Sequence, residues 1–456
     1  MNKKWFVIVM CAAMLVCITV VPSRAANPGI NPPGEIGPYL VGYTNLMLVD
    51  HSRYLGIGGR PIAVDVFYPA DPYNQGQPLL PAQYVVDPYG QFGLNNFGWP
   101  TIPSTIWEVY GLDPVYQTVA PSPDGPFPLL VFSPGYGAPS FAYIYVGARL
   151  ASHGFVVAIL SDYGDYSGEH IAQTALNRTI DVSFMITDLL ARDVDPDDLL
   201  YGMIQEDQIA MSGHSLGGYA TLALAGGDAI VCDTFMYPDY LPPPETCVLV
   251  QPDARIKAIV TLDGSNERLH FSELAQITLP AMGIGEEWST LAWDPVFFGG
   301  ASWQARQHAA MQGHPNYRVD VAGAQHLTFT IWCEIVEVYH DIGWVDDEFY
   351  TANRCSQEPI PQAEVERLTT MYMVAFLKDN LVGEHGYQPY LTPGYAQVNE
   401  PNIEFFVTEK RNPHAIDEDW PDDFIYFPHQ PGSEQAIGPK NPQGLIENRM
   451  SNFLLP

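Results

Sequence analysis

The sequence predicts an α/β fold: a mostly parallel central sheet with helices on both faces. Three observations carry that expectation. From about residue 125 onward, short apolar runs alternate with longer helical patterns, as a parallel sheet with crossover helices requires. Two strand-like runs precede that alternation and suit an antiparallel edge. Between one of the later strands and the helix after it stands Gly213-His214-Ser215-Leu216-Gly217, a tight turn placed where such a fold presents a side chain at the top of its sheet.

Taken in order, residues 39–49 and 61–68 read as the opening strands, the second alternating through Ile62, Val64, Val66 and Tyr68. Residues 71–123 are rich in Pro, Gly, Asn, Tyr and Trp and read as a long irregular excursion. Residues 128–132 then form a buried strand, 141–153 a helix and 155–160 a strand. Residues 171–192 form a long amphipathic helix with Ile180, Phe184 and Leu189 on one side. Residues 208–211 form the strand before the tight turn and 216–225 the helix after it. Strands follow at 256–262, 279–284 and 317–321, then a closing helix at 363–377. One catalytic α/β domain over residues 26–380 accounts for this order better than two. Residues 227–255 interrupt it with Pro238, Pro242, Pro243 and Pro244 between two cysteines, and read as a surface insertion. Residues 381–456 form an acidic extension with one strand-like run at 403–408, either packed on the core or partly disordered.

Lys3 and Lys4 stand before an apolar run ending at Pro22-Ser23-Arg24-Ala25, so residues 1–25 read as an export signal rather than an anchor. The expected location is secreted or periplasmic, without stable membrane insertion. Loss of Lys3, Lys4 and Arg24 takes the formal charge from -32 to -35, which repels phosphates and argues against nucleic acid as a partner. Cys11 and Cys17 leave with the signal. Cys232, Cys247, Cys333 and Cys355 remain, with no C-x-x-C spacing, so disulfides are favoured over a metal, and proximity favours Cys232–Cys247 and Cys333–Cys355. No cofactor motif stands out. The cluster Asp193, Asp195, Asp197, Asp198 lacks the pattern of a Ca²⁺ loop and reads as a solvated turn. Asn177-Arg178-Thr179 is a glycosylation triplet but lies on a predicted helix, where it carries no weight.

In a chain with 39 glycines and 19 serines, about 0.14 matches to G-x-S-x-G arise by chance, so the motif needs its context. Its place between a strand and a helix supplies that context. Side chains two before and two after Ser215 would strike neighbouring backbone, which explains Gly213 and Gly217, and Gly218 lets the helix approach the sheet. A serine nucleophile needs an adjacent base oriented by a carboxylate, in the chain order Ser, acid, His. His326 follows the last strand of the alternation by five residues, in a loop containing Ala322-Gly323-Ala324, and is the candidate base. Asp263 ends one strand and Glu286 and Glu287 follow the next; Asp263, shorter and leading into a Gly-Ser turn, is the preferred acid. Candidate oxyanion donors are the backbone N–H of Leu216 and one from Ser133-Pro134-Gly135-Tyr136-Gly137.

Residues 131–137 (Val-Phe-Ser-Pro-Gly-Tyr-Gly), 150–158 (Leu-Ala-Ser-His-Gly-Phe-Val-Val-Ala) and 213–218 together resemble the platelet-activating-factor acetylhydrolase family, which has the α/β-hydrolase fold, and are also similar to bacterial cutinase-like polyesterases. The resemblance covers about residues 40–380. It implies Ser215 as nucleophile, Tyr136 and Leu216 as oxyanion donors, His326 as base and Asp263 as acid. Polyesterases carry the acid after the following strand, where this chain reads Gly285-Glu286-Glu287-Trp288-Ser289. Pro134 replaces the acetylhydrolases' common His.

The expected function is therefore a secreted serine carboxylic ester hydrolase, cleaving short acyl chains from a phospholipid or small-molecule ester through an acyl-enzyme. A polyesterase or thioesterase is the runner-up, and an inactive binding scaffold the reading from another class.

Overall fold

The computed structural model describes residues 30–53, 58–71, 115–228, 243–266, 269–286, 300–341, 343, 345–352 and 360–408. The export signal, Cys232, Cys355, Glu287, Ser289 and the end of the acidic tail lie outside the described residues.

Ten strands form one sheet: β1 Leu40–Asp50, β2 Arg60–Ala70, β3 Val115–Gln117, β4 Phe127–Ser133, β5 Val156–Ser161, β6 Ile204–His214, β7 Ile256–Leu262, β8 Ala281–Glu286, β9 Asn316–Val321 and β10 Ile403–Thr408. Their spatial order is β10-β9-β8-β7-β6-β4-β5-β2-β1-β3. From β5 through β9 every neighbouring pair is parallel, whereas β2 joins β5, and β1 joins β2, antiparallel. The helices that matter for the site are α1 Ile144–Ser152, α2 Ile171–Asp193, α3 Leu216–Leu222, α4 Gly300–Ala310, α5 Trp332–Asp341 and α6 Gln362–Leu377.

The central strands are apolar along their length because both sheet faces are covered. On β4, Leu130 and Phe132 join one core with residues of α1, α5 and α6. Leu129 and Val131 join the opposite core with residues of α2 and α3. β6 extends beyond the expected 208–211 at both ends, over the half-buried or exposed Gln205, Glu206 and Asp207 on one side and the buried Ser212, Gly213 and His214 on the other, none of which reads as part of an apolar run.

Sequence alternation also stops short at the far edge. β10 pairs antiparallel with β9, from Ile403 opposite Val321 to Thr408 opposite Asn316. Phe405 packs against Tyr317 and Tyr372. The sheet-bearing unit thus runs past the expected boundary at 380 to at least residue 408, since the antiparallel return lets a strand rejoin the sheet outside the β-α rhythm. The acidic turn near residue 195 is a set of local caps: Asp193 accepts from Ile204 N–H at 2.7 Å, Asp195 from Asp197 N–H at 3.1 Å and Asp198 from Leu200 N–H at 2.9 Å.

Candidate active site

β6 ends at His214 and α3 begins at Leu216, so a single residue, Ser215, makes the turn from strand to helix. It adopts φ 52° and ψ −120°, a strained conformation for a residue with a Cβ. The local sequence makes that turn sterically feasible. A Cβ on Gly213 would lie 2.2 Å from the carbonyl oxygen of Gly217, and one on Gly217 would lie 1.9 Å from that of Ser133. Gly218 meets the Cα of Gly264 rather than the sheet itself, at 2.3 Å from an added Cβ, so it sets the gap between the turn and the loop after β7. Gly217→Ala should therefore destabilise the fold by more than about 3 kcal/mol and abolish activity, because backbone atoms cannot yield. Gly137→Ala, at φ 72° with nothing within 4 Å, should lose only about 1–2 kcal/mol. Urea denaturation of the two variants checks the contrast.

Asp263 lies one residue beyond β7 and is also held at positive φ, 39°. Its N–H donates to Ile284 of β8 at 2.7 Å, while Ser215 N–H donates to Leu262 of β7 at 3.2 Å, so each turn is stitched to the end of the next strand, and Ser265 N–H joins the two turns by donating to the Ser215 carbonyl at 2.9 Å. Among the described residues, Thr118, Ser215 and Asp263 are the non-glycine positions with positive φ. Asp263 Oδ2 accepts from His326 Nδ1 in a short, fully buried contact. His326 opens the turn that follows β9, whose position is fixed in part by Ala322 N–H donating to Asn402 next to β10 at 2.8 Å. Glu286 is buried at the end of β8, and its carboxylate, that of Asp263 and a nitrogen of His326 lie within 4.8 Å of one another.

His214, the residue before the serine, ties these pieces together, and the motif gave no sign of it. Its ring packs against that of His326, tilted by 35° with centroids 4.5 Å apart. Burial holds its pKa well below the usual imidazole range, with His326 adding to the effect, so the ring is neutral. Nε2 lies 3.0 Å from the His326 carbonyl and must carry the proton. Nδ1 then accepts from the Tyr143 hydroxyl at 2.8 Å, which itself accepts from Gly135 N–H at 2.9 Å. One hydrogen-bonded chain thus connects the loop after β4, the serine turn and the histidine turn. Burial raises the Tyr143 hydroxyl's pKa, so that it stays a donor.

The loop after β4 offers few N–H groups. Pro134 has none, Gly135 N–H is taken by Tyr143, and Gly137 N–H donates to Asp165 Oδ2 at 2.9 Å. Tyr136 lies between them. The loop packs directly on the turn: a Cβ on Gly135 would sit 3.3 Å from that of Ser215. Leu216, as the first residue of α3, presents an N–H that has no partner within its own helix.

Beneath this loop lies a buried ionic cluster that sequence patterns did not reveal. Arg178 of α2 and Arg60 of β2 face Asp162, Asp165, Glu169 and Asp181. Burial raises both the Asp162 and the Asp165 carboxyl, with Arg178 pulling each the other way. The glycosylation triplet around Arg178 is inaccessible, with Asn177 at 8% exposure donating to Glu169 at 2.8 Å and Thr179 fully buried.

Residues 25–170 match the family model "Platelet-activating factor acetylhydrolase, isoform II", and residues 113–235 that of chlorophyllase. Cutinase est2 of Thermobifida alba is 30% identical over 135 residues, which is 30% of this chain and 37% of that one. Cutinase 2 of Thermobifida cellulosilytica is also 30% identical over 135 residues, 30% of this chain and 42% of that one. The chain therefore spans less than half the length of these curated relatives. A ferulic acid esterase from Streptomyces cinnamoneus superposes with a TM-score of 0.55 at 21% identity, over 80% of this chain and 96% of that one. The chain is thus an α/β-hydrolase-fold protein, similar in sequence to the platelet-activating-factor acetylhydrolase, chlorophyllase and cutinase groups of esterases.

Proposed function

We propose that this chain is a serine carboxylic ester hydrolase that cleaves short acyl chains from small or phospholipid esters through an acyl-enzyme on Ser215. One observation carries the reading: a serine strained at a strand-to-helix turn, beside a buried Asp263–His326 pair and a loop whose remaining N–H belongs to Tyr136. In this reading Ser215 Oγ attacks the ester carbonyl carbon. His326, held at Nδ1 by Asp263, takes the hydroxyl proton on Nε2 and returns it to the departing alcohol. Leu216 and Tyr136 N–H groups receive the negative charge that develops on the carbonyl oxygen. Water then repeats the sequence on the acyl-enzyme and releases the acid. Acid placement at the end of β7 favours the acetylhydrolase arrangement, whereas the cutinase relatives favour a polyesterase as second reading.

We also read the chain as exported through residues 1–25. In this reading Cys232–Cys247 and Cys333–Cys355 are disulfides, as suits an oxidising compartment. No helix among the described residues is long and apolar enough to cross a membrane.

A substrate panel tests the reading. Kcat/KM for p-nitrophenyl acetate and butyrate should exceed that for the decanoate by at least about tenfold, with a short-acyl phospholipid hydrolysed and a polyester film left nearly intact. Faster attack on the film or on long chains would move the assignment to a polyesterase. Absence of turnover on every ester would end it.

A further inference from the structure

Arg178 sits under the loop that carries Tyr136, and its side chain is wholly buried. Nη1 donates to the Pro134 carbonyl in a short contact, and Nη2 donates to the Gly135 carbonyl at 3.2 Å and to Asp165 Oδ2 at 2.5 Å. Nε pairs with Asp162 Oδ2 at 2.9 Å. The same oxygen of Asp165 that meets Arg178 accepts Gly137 N–H. One guanidinium, with one carboxylate, therefore grips three consecutive peptide groups.

The direction of these contacts has a chemical result. Cis peptides among the described residues are confined to Gly125-Pro126 and His314-Pro315, so the Gly135–Tyr136 peptide is trans. In a trans peptide the C=O and the N–H point to opposite sides. With the Gly135 carbonyl held on Arg178 beneath the loop, where it also accepts Ala138 N–H at 3.2 Å, the Tyr136 N–H must point the other way, to the upper side. The peptide before it is fixed from both ends, Pro134 C=O on Arg178 and Gly135 N–H on Tyr143. Rotation of either peptide would take a carbonyl acceptor away from a buried guanidinium.

We infer that Arg178 is the positioning residue of the oxyanion site: by holding the Pro134 and Gly135 carbonyls it fixes the direction of the Tyr136 N–H. The inference rests on the ester-hydrolase reading above. A planar fork is what the task needs, since it reaches two carbonyls and two carboxylates in set directions. An ammonium keeps the charge opposite Asp162 and Asp165 but not that geometry.

The test compares Arg178→Lys with Arg60→Lys in the full-length protein. Arg60 belongs to the same buried cluster and donates to Asp181 and Glu169, not to the loop. Rates on p-nitrophenyl butyrate are expressed per active site titrated to completion with a fluorophosphonate, so that misfolded protein does not count. Arg178→Lys should lower kcat by about 10- to 100-fold with KM within about threefold, because a misdirected donor fails chiefly in the transition state. Affinity for a methylboronic acid, whose serine adduct fills the oxyanion position, should fall by a similar factor. Arg60→Lys should lower Tm while leaving kcat per site within about twofold.

Unchanged kcat in Arg178→Lys, or equal losses in the two variants, would overturn the inference and leave Arg178 a structural residue. Should Arg178→Lys fail to fold, Asp165→Asn decides: a kcat loss of at least about fivefold at constant KM supports the grip on the loop, and none overturns it. Ser215→Ala separates the two layers. Activity surviving in that variant defeats the hydrolase reading itself, whereas an inactive Ser215→Ala with a fully active Arg178→Lys defeats only the role given to Arg178.

Discussion

Ser215→Ala is expected to lower kcat on short p-nitrophenyl esters by five to six orders of magnitude while leaving the fold intact. The size of the loss follows from the covalent step. Without Oγ there is no acyl-enzyme, and what remains is the stabilisation that the oxyanion donors give to direct attack by water, on the order of 10³–10⁴ over solution. Removing one oxygen from a half-buried side chain at an already strained turn leaves Gly213, Gly217 and the Leu262 and Ser265 backbone bonds in place. Tm should therefore move by no more than a few degrees. Stopped-flow release of p-nitrophenol measures both parts: the wild type should show a burst equal to the enzyme concentration and the variant none. A variant within tenfold of wild type would remove Ser215 from the chemistry.

Asp263→Asn should lower kcat by about 10⁴, against less than about tenfold for Glu286→Gln. The carboxylate accepts the Nδ1 proton of His326 and so leaves Nε2 as the basic nitrogen. An amide in its place donates to Nδ1, drives the proton to Nε2 and presents the serine with a nitrogen that cannot accept. The substitution also leaves a buried imidazolium without its counter-charge during the reaction. Glu286 lies in the same buried cluster at the end of the neighbouring strand, whereas Asp263 accepts the Nδ1 proton of the ring. Steady-state kinetics of the two amides across pH 5–9 decide between them. A large loss in Glu286→Gln with activity retained in Asp263→Asn would transfer the acid role one strand over.

Those residues were legible because local pattern and chain order both constrain them. Strands covered on both faces read as apolar runs, so β7 appears in the sequence with its observed limits, and the half-buried edge strand β10 does so as well. The serine turn announces itself through glycines whose absent side chains the structure needs. What escaped was polar and long-range. α4 was not read as a helix because its sheet-facing side carries Gln304 and Gln307 instead of an apolar stripe. Gln307 bonds Thr261 at 2.6 Å and the Gly264 carbonyl at 2.8 Å, and so braces the loop of Asp263. α5 does carry a helical period, in Trp332, Ile335, Val336 and Tyr339, so its absence from the expected elements has no such physical cause. His214, Tyr143 and Arg178 act through partners 71, 112 and 43 or 44 residues away, and no spacing rule joins such positions.

The antiparallel partner on β9 bears on how the protein is handled as well as on how it is built. A chain cut at residue 380, where the alternation ends, would leave six residues of β9 with an open row of amides and carbonyls, flanked by the freshly bared rings of Tyr317 and Tyr372. Such an edge is a template for another copy of itself. Residues 403–408 therefore cover this row and its two rings in the folded chain, and the segment that composition marks as an appendage belongs to the sheet.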